Sequence, residues 1–112
     1  MAAKSAALLS LGVFVLVLWV QNDALVGVFY DDGIYVMAGK ALAEGHGYRH
    51  IHLPDALPGV HHPPLYPLML ALAWRLWPAF PQNLTLFQLM DALCLAGAAW
   101  IMASHATRLG LT

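Results

Sequence analysis

Charge is scarce in this sequence. Only 10% of its 112 residues are Asp, Glu, Lys or Arg, against about 25% in an average soluble domain. Such a chain cannot coat a globule with solvated side chains. Cysteine is nearly absent as well. The single Cys94 excludes an internal disulfide framework and, set in an apolar run, reads as a small buried hydrophobe. There is no basic surplus either, with 5 Lys and Arg against 6 Asp and Glu, so the chain has no electrostatic footprint for nucleic acid. No internal repeat and no low-complexity linker divides it.

What the sequence has is apolar surface: 61% of its residues are hydrophobic. A soluble domain of this size buries only about 60–70% of the surface its unfolded chain exposes. Lipid is the solvent that accepts the remainder.

Two runs are long enough to meet that solvent. Residues 6–20, AALLSLGVFVLVLWV, carry no charge. Alone they rise about 22 Å as a helix, short of a bilayer core of about 30 Å. The first transmembrane helix is therefore placed over residues 5–25, with Trp19 near the far interface. Lys4 ahead of the run also suits a cleavable leader, but Asn22 stands where cleavage wants a small residue, so a retained helix is the reading. After Pro78 and Pro81, the run NLTLFQLMDALCLAGAAWIMASH predicts a second transmembrane helix over residues 83–107, with Asn83 as its N-cap. Asp91 inside it is costly in lipid, about 2.5–3.5 kcal/mol near the bilayer centre. It reads as a polar contact to another helix or a residue on a substrate path. Ala96 to Ala99 and Ala103 suit close helix packing. Lys4 and Arg108 flank the outer ends, which favours the cytoplasm for both termini. The loop of residues 31–80 then lies on the periplasmic or extracellular face of the inner (plasma) membrane.

Within that loop, residues 31–47 read DDGIYVMAGKALAEGHG. Asp32 suits a helix cap, and a carboxylate pair suits the positive end of a helix dipole. Ile34, Met37, Ala38, Ala41 and Leu42 share one stripe at helical spacing, Lys40 and Glu44 are i,i+4, and Gly45 and Gly47 are stop signals. A short helix over residues 32–44 follows. Pro54, Pro58 and Gly59 keep residues 48–62 irregular. The segment HHPPLYPLMLALAWRLWP predicts a second short helix over residues 64–77, with Leu65, Leu68, Met69, Leu72 and Leu76 as its apolar face. At about 20 Å it is too short to span, and Trp74, Arg75 and Trp77 suit a headgroup interface. The fold class is thus an all-α membrane protein: two transmembrane helices joined by a long extracytoplasmic loop with two short amphipathic interfacial helices.

Asp31 and Asp32 are the sharpest chemical feature. They follow the first span directly, at the membrane surface, where a carboxylate is placed to act as a base. As a bare pattern, a carboxylate pair opening a helix is more often a cap. Five of the six histidines fall between His46 and His62. His50-x-His52 and His61-His62 are candidate zinc ligands, yet no cysteine partners them and their intervals match no standard module. Asn83-Leu84-Thr85 is a formal glycosylation sequon, discounted because it abuts the membrane.

The order of these pieces resembles the N-terminal end of membrane glycosyltransferases of the GT-C superfamily. Within that group it resembles the dolichyl-phosphate-mannose–protein mannosyltransferases and the bacterial lipid A aminoarabinose and RgtA/B/C/D-like transferases. The residues carrying the likeness are Asp31-Asp32-Gly33-Ile34-Tyr35, Ala38, Ala41 to Gly47, and His62-Pro63-Pro64-Leu65-Tyr66-Pro67. The resemblance implies an enzyme that transfers a sugar, with inversion, from a polyprenyl-phosphate donor to an extracytoplasmic acceptor. It implies Asp31 as general base, with Asp32 beside it orienting the acceptor or a bound cation. Tyr35, His62 and Tyr66 are cavity-lining, substrate-binding candidates by their proximity to these motifs. No metal ligand set and no cofactor is fixed, a divalent cation being the one candidate. The implied partners are membrane lipids, the lipid-linked sugar donor and further transmembrane helices, because such enzymes have roughly ten or more spans. The chain is then the N-terminal segment of a longer enzyme, inactive by itself. The rival reading is a small non-catalytic two-helix membrane protein whose His-rich loop binds metal or a partner.

Overall fold

Every regular element of the computed structural model, which describes residues 2–21, 26, 30–59 and 62–111, is helical. In chain order these are α1 (Ala2–Val20), α2 (Asp31–Ala43), α3 (Leu65–Leu76) and α4 (Leu84–Arg108). No strand occurs among the described residues, only an isolated antiparallel bridge between Arg49 and Pro58. The chain divides into two compact units: Met1–Asn22 with Gln88–Thr112, and Asp23–Phe87.

In the first unit, α1 stops at Val20, ahead of the polar Gln21-Asn22-Asp23, and its last turn closes with Gln21 N donating to Val17 O. Residues 22–25, where the sequence places the end of the first span, lie outside the described residues. Among the described residues, only α4 is long and apolar enough to cross a membrane, judged by length and composition; Lys4–Val20 is a shorter apolar helix. The two helices meet through small residues. Ala6, Ala92 and Ala96 are buried, and the Ser10 hydroxyl donates to Ala96 O at 2.8 Å. Gln21 Nε2 donates to Gln88 O at 3.2 Å. Gly97 meets nothing and is not part of that contact. Most large side chains face outward, from Leu8, Leu11 and Trp19 on α1 to Leu93, Ile101 and Met102 on α4. Cys94 is exposed rather than buried, in a run with the exposed Leu93 and Leu95. Asp91 is half-buried and engaged by a neighbour.

The second unit is built on α2 packed against α3. Five α2 residues are buried: Ile34, Val36, Ala38, Gly39 and Ala41. The predicted stripe therefore keeps Ile34, Ala38 and Ala41, while Met37 and Leu42 are only half-buried and Val36 and Gly39 join the buried face. Gly39 sets the close approach. A Cβ there would lie 2.7 Å from Leu70 Cβ and 3.2 Å from Pro67 O. On α3 the packing face is Pro67, Leu70, Ala71, Ala73 and Trp74. The predicted leucine face, Leu65, Leu68, Leu72 and Leu76, stays exposed. Trp74 is a correction to the interface assignment: it is 7% exposed, its Nε1 donates to Val36 O at 3.2 Å, and its ring stacks on Phe80 and meets Phe87. Trp77 and Arg75 remain exposed.

Helix ends follow local chemistry. Glu44 caps α2, and Gly45 at φ 81° ends it. His46 N donates to Ala41 O and Gly45 N to Leu42 O, the paired bonds of a Schellman stop. At the other end Tyr30, not Asp32, holds the N-cap position, with φ 65° and no side-chain cap bond. Asp31 and Asp32 are the first two helical residues instead. Asn83 precedes α4 as expected, and its carbonyl accepts from Leu86 and Phe87. Its side chain, however, is wholly buried and caps nothing; neither polar atom has a hydrogen-bond partner among the described residues.

Candidate functional site

A helix places residues four apart on one face, so α2 carries Asp31 and Tyr35 one above the other at its first turn. The connection from α2 to α3 is then folded back onto that face by its own backbone. Beside the Arg49–Pro58 bridge, His50 N donates to Leu57 O and Gly59 N to Tyr48 O, each at 2.9 Å. A Cβ at Gly59 would sit 3.0 Å from the Tyr48 ring, so the glycine lets that ring pack tightly against the backbone. The Tyr48 hydroxyl donates to His62 O at 2.9 Å. The irregular loop is thus closed on itself, and His62 is delivered to the start of α2.

Four of the sequence-selected residues meet there. His62 Nε2 lies 3.6 Å from Asp31 Oδ1, longer than a hydrogen bond but within reach of an ion pair when the imidazole is protonated. The Tyr35 ring stands edge-on between the His62 ring at 5.4 Å and the Tyr66 ring at 5.5 Å. His50 adds a further edge contact to His62 at 6.2 Å and to His52 at 5.6 Å. The two members of the central pair differ in exposure: the Asp31 side chain is 68% exposed and that of His62 only 20%. His62 Nδ1 is buried without a partner among the described residues. The imidazole is therefore held from several sides, while the carboxylate it faces is open to an incoming molecule.

Asp32 follows Asp31 on the same helix turn. One of its oxygens accepts from Gly33 N at 2.9 Å, and it makes further contacts. Both carboxylates sit in the first turn of α2, where the helix dipole favours negative charge. Tyr30, which leads into that turn, is held at φ 65°, a backbone conformation that costs a non-glycine residue about 1–3 kcal/mol. Burial is the main cause that raises the Tyr48 phenol above its usual value, with a smaller push from Tyr35. Its hydroxyl therefore stays protonated and keeps donating to His62 O.

The comparison with known proteins is negative on all three counts: the chain matches no family model, no curated protein and no solved structure.

The histidine-rich stretch does not assemble a metal site among the described residues, where no group of three His, Cys, Asp or Glu side chains could hold an ion. His61 lies outside the described residues. His46 pairs instead with Glu44, at 3.6 Å. Two contributors to the cluster have no sequence signal as site residues. Tyr48 and Gly59 act through a loop closure that no helical or strand period reports.

Proposed function

We propose that this chain is the N-terminal segment of a GT-C-type membrane glycosyltransferase, which moves a sugar from a polyprenyl-phosphate donor to an extracytoplasmic acceptor. The observation that carries the reading is the meeting of Asp31, Tyr35, His62 and Tyr66, drawn from two separate sequence motifs, around one exposed carboxylate.

In this reading the acceptor hydroxyl approaches Asp31 from its open side. Asp31 takes the hydroxyl proton as the acceptor oxygen bonds to the anomeric carbon. The polyprenyl phosphate leaves with the electron pair of the broken C–O bond. A single displacement of this kind inverts the anomeric centre. His62 holds the Asp31 carboxylate in place, Tyr35 and Tyr66 wall the cluster with aromatic edges, and Asp32 steadies the helix start. The exposed leucines, isoleucine and tryptophan of α1 and α4 support lipid as their surroundings, because soluble monomers rarely expose apolar patches of that extent. The reading places α1 and α4 as two spans, both termini in the cytoplasm and residues 31–80 on the outer face.

The test is Asp31→Asn in the full-length enzyme. Loss of a general base lowers turnover by about 10²–10⁴-fold, measured as sugar transfer from a polyprenyl-phosphate donor. Turnover close to wild type removes Asp31 from the catalytic role.

A further inference from the structure

Lys40 and Arg75 lie away from the Asp31 cluster, and the reading above gives them no task. Both line a cavity of about 550 Å³ at the edge of the α2–α3 pair, with Ala43, Glu44, Trp74, Pro78 and Phe80. A neighbouring cavity of about 310 Å³ shares Lys40, Trp74 and Phe80 and continues over Val36 and Met37. Lys40 Nζ stands 5.7 Å from the centroid of the Trp74 ring and 3.8 Å from Glu44. Arg75 Nε donates to Ala43 O at 3.4 Å, which fixes the guanidinium over the last turn of α2. No carboxylate of a described residue pairs with it. Two cations against one carboxylate leave this groove with one surplus positive charge over an aromatic floor.

On its other side Arg75 borders a second trough of about 420 Å³, walled by Leu42, Leu68, Ala71 and Leu72. Leu68 and Leu72 belong to the exposed leucine row of α3. The guanidinium therefore divides a cationic, aromatic recess from an apolar trough. That pairing matches one class of ligand: an amphiphile with a singly charged anionic head and a hydrocarbon chain. Arginine forks suit phosphate oxygens, and basic pockets beside apolar surface are a recognised way of holding lipid heads.

We infer that the Lys40–Arg75 groove binds the phosphodiester head of an anionic membrane lipid, with one acyl chain in the Leu42–Leu68–Leu72 trough. The lipid ties the α2–α3 pair to the membrane surface. This site is independent of sugar transfer.

The experiment is a titration of the chain in maltoside micelles with dihexanoyl-phosphatidylglycerol, followed by the Trp74 indole and Arg75 Nε–H signals in NMR spectra. Dihexanoyl-phosphatidylcholine and inorganic phosphate are the comparison probes. Saturable shifts with the anionic lipid, and affinities for both comparison probes weaker by about fivefold or more, are expected. The K40Q/R75Q double variant loses about tenfold in affinity, as for two partly exposed ionic contacts. E44Q, which removes the competing carboxylate, binds more tightly, a gain that misfolding cannot imitate. Equal binding of phosphatidylcholine, saturation by phosphate alone, linear unsaturable shifts, or unchanged affinity in both variants overturns the proposal.

Discussion

Gly39→Ala probes the contact on which the second unit is built. The added methyl lands 2.7 Å from Leu70 Cβ and 3.2 Å from the Pro67 carbonyl. Neither neighbour is the loose end of a side chain. Leu70 is fully buried and Pro67 is backbone-fixed, so α2 and α3 must separate to admit it. Overpacking of this kind costs about 1–3 kcal/mol, while alanine returns about 0.8–1.0 kcal/mol of helix propensity over glycine. At the middle of these ranges the net loss is about 1 kcal/mol, which raises the open population of the pair by about fivefold. Amide hydrogen exchange in lipid nanodiscs reads this directly, as faster exchange of the buried α2 amides from Val36 to Ala41. Gly97→Ala is the control, since a Cβ there meets nothing within 4 Å and exchange should not quicken. Exchange in G39A as slow as in the parent chain would refute the close approach of α2 and α3.

Three other outcomes follow from the same geometry. Trp74→Phe keeps an aromatic ring but loses the hydrogen bond from Nε1 to Val36 O, and denaturant unfolding should report a loss of about 1–2 kcal/mol. The Tyr48 phenol is raised by burial, so its folded form holds its proton more tightly than the unfolded chain does. The stability this contributes is complete below pH about 10 and disappears as pH rises through the higher folded value. Absorbance titration should show a late-ionising phenol that vanishes in Y48F. Cys94 faces outward midway along α4; in nanodiscs lipid should shield it from a charged maleimide, and solubilisation in SDS should expose it. Rapid labelling in the bilayer would show that this face of α4 meets water.

The sequence makes the helices legible because prolines, glycines and apolar runs mark them. Gly45 and Gly47 announce the end of α2, and Pro63-Pro64 the start of α3, to within a residue or two. It makes the faces of α2 and α3 much less legible. Leu65, Leu68, Leu72 and Leu76 form the strongest apolar stripe on α3, yet the packing face is the one carrying Ala71, Ala73 and Trp74. Hydrophobic size does not identify that face: close approach needs small residues, and Gly39 opposite them weighs nothing in an apolar count. The same limit applies to the candidate site. Asp31 and Tyr35 share a helix face by spacing alone, whereas the approach of His62 depends on Tyr48 and Gly59 across a loop without periodicity.

The leucine row of α3 makes no part of the interior: four large side chains can be altered without touching Leu70, Ala73 or Trp74. One twelve-residue helix thus carries two faces at different angles around its axis, one that fixes how the chain folds and one left outward for whatever surrounds it. Selection, or a designer, could rewrite Leu65, Leu68, Leu72 and Leu76 in polar letters and change what that outer face meets while leaving the packing of α2 on α3 intact.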